Sequence, residues 1–211
     1  MTKYLIINAD DFGMSNIFNE EILNLIRNDL IFSTTIMVNR VSADQKEQFK
    51  ELINLSRNKN LSIGLHLEFE NDNYILQIKD QFDKFNKILG FIPSHIDIHK
   101  VHSLMKSVDF VAKFCEDKEI PLRNSGKNFE KVKMIPFEAF FGSIADFNKI
   151  EEWIKTFEDE EFHEILFHPG KFDKNCKSSL NKDRERDVKH IKKINTIVNK
   201  YNIKIVSYLD L

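Results

Sequence analysis

The sequence predicts an α/β fold of seven or eight parallel strands joined by crossover helices. Three observations predict it. Strand-like and helix-like patterns alternate along the whole chain. The strand segments are short apolar runs rich in β-formers, as expected for strands buried in a parallel sheet. The polar residues able to do chemistry fall at strand ends. Two architectures fit this pattern, a β/α barrel and an open doubly wound sheet. No G-x-G-x-x-G or G-x-x-x-x-G-K-[ST] motif occurs, so the usual phosphate-binding signatures of open sheets are missing.

The elements follow in order. Tyr4–Asn8 reads as a buried strand. Ser15 is an N-cap, and Phe18, Ile22, Leu25 and Ile26 recur with helical spacing after it. Ser33–Val38 is the second strand, Asp44–Lys59 a helix and Leu61–Glu68 the third strand. Asp80–Phe91 reads as a helix terminated by Pro93. His95–His99 is a short alternating strand, and Leu104–Glu116 is a helix with Val108, Val111, Ala112 and Cys115 on one side. Glu119–Arg123 is expected to be strand five, and Val132–Phe141 a strand and a loop. Asp146–Phe157 is a helix, Glu164–His168 a strand stopped by Pro169-Gly170, Asp183–Tyr201 a charged amphipathic helix, and Ile203–Tyr208 the last strand.

Bulk properties narrow the function classes. A chain of 211 residues suits one well-buried core, so residues 1–211 are expected to form a single domain. The 31 basic and 33 acidic residues leave a net charge of −2, which argues against a nucleic-acid partner. No stretch approaches the 18 or so apolar residues of a membrane span, and the opening apolar run is too short for a signal peptide. The two cysteines, Cys115 and Cys176, lie far apart and form no metal or redox motif. The expectation is a cytoplasmic protein with no membrane partner.

The chemistry-bearing residues converge. Asp10 and Asp11 follow strand one, and His66 lies near the end of strand three. His95, Asp97, His99 and His102 surround the end of strand four. Arg123 ends strand five, and His168 ends the EILFH strand. In a β/α barrel those ends meet at one mouth, which gathers five of the seven histidines. The others, His163 and His190, need only surface roles. Taken singly, each residue has a plain structural explanation. An Asp-Asp pair commonly serves a turn, and one buried histidine commonly serves a hydrogen bond. The H-x-D-x-H strand is more specific, because period two crowds two imidazoles and a carboxylate on one face. Two neutral imidazoles and a carboxylate suit a divalent ion with open positions. Such an ion acidifies water and polarises a carbonyl, while a neighbouring carboxylate takes a proton and an opposed imidazole gives one. Successive side chains diverge in an extended strand, so one aspartate as ligand and its neighbour as base is a natural division.

The segments Asn8-Ala9-Asp10-Asp11-Phe12-Gly13-Met14-Ser15, Gly64-Leu65-His66-Leu67, Pro93-Ser94-His95-Ile96-Asp97-Ile98-His99, Phe167-His168-Pro169-Gly170 with Arg184 and Arg186, and Val206-Ser207-Tyr208-Leu209 resemble the YdjC-like carbohydrate deacetylases, the family of chitooligosaccharide deacetylases. The resemblance implies a distorted TIM-like β/α barrel of the glycoside hydrolase/deacetylase type. It implies Asp11, His66 and His99 as ligands of one Mg2+ or Zn2+ ion, with Asp10 as general base and His168 as general acid. His95, Asp97, His102 and Arg123 are implied as substrate-binding or supporting residues. The implied substrate is an acetylated amino sugar and the implied assembly a homodimer. The run His99-Lys100-Val101-His102 is one residue shorter than the family's histidine cluster. Two other readings remain open: a metal hydrolase acting on another amide or a phosphoester, and a non-catalytic sugar-binding barrel.

Overall fold

The structure, a computed structural model, describes residues 2–123 and 138–211. Its strands are β1 (Lys3–Phe12), β2 (Ser33–Ile36), β3 (Ser62–Leu67), β4 (Ile96–Ile98), β5 (Glu138–Phe141), β6 (Phe162–Phe167) and β7 (Ile203–Val206). The helices are α1 (Asn16–Arg27), α2 (Lys46–Asn58), α3 (Tyr74–Leu89), α4 (Val108–Lys118), α5 (Phe147–Lys155) and α6 (Arg184–Ile197). All strand pairs are parallel, in the order β4-β3-β2-β1-β6-β5, and β7 pairs with β1. β6 runs along one edge of β1 from Tyr4 to Ala9. β7 and β2 therefore share the other edge, β7 beside Lys3–Ile6 and β2 beside Asn8–Phe12.

The sheet is curled. In a flat sheet β1 and β4 would stand about 14 Å apart, three strand spacings. Here Asp10 of β1 and Asp97 of β4 both bind the Arg123 guanidinium. The curl separates two faces with different chemistry. Odd residues of β1 (Leu5, Ile7, Ala9) point outward into a large apolar core shared with the helices, for example Ile22, Phe85, Val111, Ile154 and Ile191. Even residues point inward. At the strand starts the inner face holds a small apolar cluster of Ile6, Val206 and Tyr208. Above it come Asn8, Ser33, Ser62, Glu164 and His95, all buried, and then the strand-end residues. Gly64 makes room for this layering, since a Cβ there would lie 2.6 Å from the His95 ring, which stacks on Tyr208 with centroids 3.6 Å apart.

Ser15 caps α1 as expected, accepting from the Ile17 N–H. Three expectations need correction. Strand five over Glu119–Arg123 contracts to a single bridge, Ile96 to Leu122, because Pro121 has no N–H to give a ladder. The third helix starts at Tyr74 rather than Asp80, its apolar stripe running Tyr74, Ile78, Phe82, Phe85 and Leu89. It ends on Gly90, left-handed at φ 79°, before Pro93 is reached. His163 is not a surface residue; it is buried and stacked on Phe157 with centroids 3.7 Å apart. Of the expected strand and loop over Val132–Phe141, Glu138–Phe141 is β5 and the rest lies outside the described residues.

Candidate metal centre

The Asp-Asp pair sits on an irregularity in β1. The β1–β2 register shifts between Ala9 and Phe12, and Asp11 takes the left-handed backbone at φ 72°. Such a bulge re-aims a side chain. In a regular strand Asp11 would point away from Asp10; here both carboxylates reach the same cleft. The turn beyond is stapled in place. The Gly13 N–H donates to Asn19 Oδ1 at 2.7 Å, and Gln45 Nε2 donates to the Gly13 carbonyl at 3.0 Å. Strain of this kind at a buried polar residue is characteristic of functional sites.

Asp11 meets two imidazoles. Asp11 Oδ1 lies 3.5 Å from His66 Nε2 and 3.5 Å from His99 Nδ1, and those two nitrogens are 3.0 Å apart. Oδ1 is buried without a hydrogen bond. Donors at about 2.1 Å from one ion, subtending 90–110°, stand roughly 3.0–3.4 Å apart, so this triangle has the size of a metal face. The donor chemistry agrees, two imidazole nitrogens and one carboxylate oxygen. The electrostatics agree as well. Burial lowers the His66 pKa, but Asp97, Asp10 and Asp11 outweigh it and push it up to about 9. Burial and His66 push His99 down to about 4. The carboxylates thus favour positive charge at the triangle, where these two rings face each other.

Supporting contacts fix each donor. His66 gives its Nδ1 hydrogen to Asp97 Oδ1 at 2.7 Å, so Nε2 faces the triangle and would offer its lone pair to a cation that displaces its proton. The His99 N–H pairs with the Leu67 carbonyl at 2.8 Å, extending the β3–β4 ladder to this candidate donor. Asp11 Oδ2 accepts from Arg184 at 2.6 Å. Asp10 forms a bidentate pair with Arg123, at 2.8 and 3.0 Å, and its Oδ1 also accepts from Asn8 Nδ2 at 2.6 Å. Burial raises the Asp10 carboxyl, but Arg123, His66 and His168 together hold it well below the usual carboxylate range. It is therefore a carboxylate, with Oδ2 3.9 Å from His168 Nε2. Ser143 Oγ donates to Asp187 and accepts from His168 Nδ1, which leaves Nε2 facing the cleft.

The structure thus brings Asp10, Asp11, His66, Asp97, His99, Arg123 and His168 to one cavity of about 1490 Å³. His95 lies deeper, against Tyr208, with no exposed surface. The side chain of His102 lies outside the described residues. Four residues given no role from the sequence belong to the arrangement: Glu164, Ser143, Asp187 and Arg184. Glu164 accepts from Arg123 Nε at 3.0 and 3.1 Å and from the Tyr208 hydroxyl at 2.8 Å. Its signal was available, since a glutamate inside the apolar run EILFH needs a buried partner.

Comparison with known proteins gives the family and the fold. The chain is 26% identical over 252 residues to a carbohydrate deacetylase of Clostridium beijerinckii, covering 98% of this chain and 99% of that one. It is 30% identical over 156 residues to a chitooligosaccharide deacetylase of Yersinia pestis, covering 58% and 60%. Among solved structures, an Enterococcus faecalis protein described as a candidate for cellobiose-phosphate cleavage superposes with a TM-score of 0.79 at 21% identity, covering 100% and 99%. A polysaccharide deacetylase from Bacillus cereus superposes with a TM-score of 0.58 at 13% identity, covering 98% and 92%. These two structures share the curled parallel fold. The description "YdjC-like protein" matches residues 4–76 and 75–196, segments that carry the bulged aspartates, both imidazole donors and His168, and the chain belongs to that family.

Proposed function

We propose that this protein is a metal-dependent carbohydrate deacetylase that hydrolyses an N-acetyl group from an amino sugar or chitooligosaccharide and releases acetate. The observation that carries the reading is the triangle of Asp11 Oδ1, His66 Nε2 and His99 Nδ1 beside Asp10 and His168. The names of the full-length relatives support the substrate class.

Asp11, His66 and His99 would hold the ion, and the imidazole pair favours Zn2+ over Mg2+. A divalent ion there acidifies water and polarises the acetamide carbonyl. Asp10, kept ionised by Arg123, takes the proton of the attacking water. His168 Nε2 delivers a proton to the departing amine nitrogen, so the amine leaves neutral. Ser143 and Asp187 hold the ring from behind through Nδ1, which keeps Nε2 toward the amine. Arg123 and Asp97 hold Asp10 and His66, and the cavity accommodates the sugar.

A second set of donors, Asp10, His66 and Asp97, does not favour a two-metal phosphoesterase. It shares His66 with the first set, and both its carboxylates are engaged by Arg123. We place residues 1–211 in one domain and the protein in the cytoplasm, where Cys115 and Cys176 would stay free thiols. Among the described residues, no helix is long and apolar enough to cross a membrane. The test is acetate release from N,N′-diacetylchitobiose set against a phosphoester panel. Metal-dependent acetate release supports the reading; phosphate release without acetate contradicts it.

A further inference from the structure

Arg184 opens α6 and is fully buried. A buried guanidinium needs a compensating charge, and Asp11 supplies it, accepting at Oδ2 from Arg184 at 2.6 Å. Four further contacts surround the guanidinium. Its Cζ lies 3.7 Å from the centroid of the Phe18 ring, and its nitrogens approach the His168 carbonyl at 3.4 Å, Ser178 Oγ at 3.3 Å and Met14 Sδ at 3.7 Å. The carboxylate it grips is the one in left-handed backbone, with Oδ1 free of any hydrogen bond and aimed between His66 and His99.

We infer that Arg184 is the positioning residue that makes Asp11 a single-oxygen ligand, and this rests on the metal-centre reading above. Asp11 has two equivalent oxygens. With Oδ2 committed to Arg184, only Oδ1 can turn to the ion, and the carboxylate cannot rotate to chelate through both. One-oxygen ligation keeps coordination positions open for water and a carbonyl. Arg184 also repels a cation, so its charge alone would weaken binding. The geometry assigns it a net gain, because it holds the donor where the imidazoles need it. Lysine cannot replace it fully, since an ammonium is a point charge without the planar fork that rests on Phe18.

The experiment compares the wild-type protein with Arg184→Met and Arg184→Lys. Arg184→Met keeps a long chain against Phe18 and removes the donor. Zn2+ affinity is read by competition with a chromogenic chelator, and ligation by the visible absorption of the Co2+ form. The expected result is a loss of about 10–100-fold in Zn2+ affinity for Arg184→Met with an altered Co2+ spectrum, and partial recovery of both in Arg184→Lys. Zn2+ binding by folded Arg184→Met as tight as wild type, or tighter, overturns the inference while leaving the metal centre intact. If Arg184→Met does not fold, Arg184→Lys decides: wild-type affinity and spectrum overturn the inference, and weakened affinity with a shifted spectrum supports it. A wild-type protein that binds no Zn2+ removes the metal centre and this inference with it.

Discussion

His66 and Asp97 are joined by a hydrogen bond of 2.7 Å from Nδ1 to Oδ1, and the same aspartate binds Arg123 through its other oxygen. The contact commits Nδ1 to Asp97, so that Nε2 faces His99 and Asp11 and would carry the lone pair once a cation displaces its proton. Asp97→Asn removes the negative charge behind the ring. The expected outcome is a fall of roughly 10–100-fold in Zn2+ affinity by chelator competition. Wild-type affinity in this variant would show that the bond does not support the donor.

In the proposed mechanism Asp10 takes a proton and does not bind the ion. Asp10→Asn should therefore keep Zn2+ binding while lowering turnover by about 10²–10⁴-fold. Elemental analysis and acetate release on one preparation check both halves. Wild-type turnover would refute the base assignment.

His168 faces the cleft through Nε2 and is held from behind by Ser143 and Asp187. An acetamide leaving group needs a proton, and an activated acetyl ester needs far less. His168→Ala should slow amide cleavage about 10²–10⁴-fold and ester cleavage much less. Equal losses on both substrates would count against the acid role.

Three carboxylates, from Asp10, Asp97 and Glu164, share one guanidinium. Burial pushes Glu164 up to about 7, and Arg123 and the Tyr208 hydroxyl recover only part of that. The folded protein therefore binds this proton more tightly than the unfolded chain does. Stability from this group is full below the ordinary glutamate pKa of about 4.3 and is lost as pH rises toward about 7. Glu164→Gln mimics the protonated acid at all pH values. In chelator-containing buffer its stability relative to wild type should rise between pH 4.5 and 7.5, by on the order of a few kcal/mol. Urea denaturation at both pH values checks this, and a pH-independent difference would contradict it.

Much of this site could be read from the sequence, and the reasons are local. His95, Asp97 and His99 share a face by the period of a strand, and His66 and His168 stand at strand ends, so parallel topology puts the strand ends on one side and the curl of the sheet draws them together. The crossover alternation likewise predicts seven or eight parallel strands with their helices, and seven strands form among the described residues. What could not be read depends on tertiary geometry. The left-handed turn at Asp11 defeats the alternation that would send adjacent aspartates apart. Ser143 and Asp187 reach His168 from separate segments, and neither carries a motif. His163 precedes a strand in the sequence, where a surface role suffices, whereas in the fold Phe157 and Trp153 cover it. Strand five failed on one residue, Pro121, whose carbonyl accepts from the Ile96 N–H at 2.9 Å but which has no N–H of its own to return.

The central claim is that Asp11, His66 and His99 hold one catalytic cation. It is tested most directly by titrating the chelator-stripped protein with Zn2+ and following acetate release from N,N′-diacetylchitobiose. The account predicts no turnover without metal, recovery that saturates at one ion per chain, and no comparable recovery in His66→Ala. Full acetate release from the metal-free protein, or wild-type titration behaviour in His66→Ala, would contradict it.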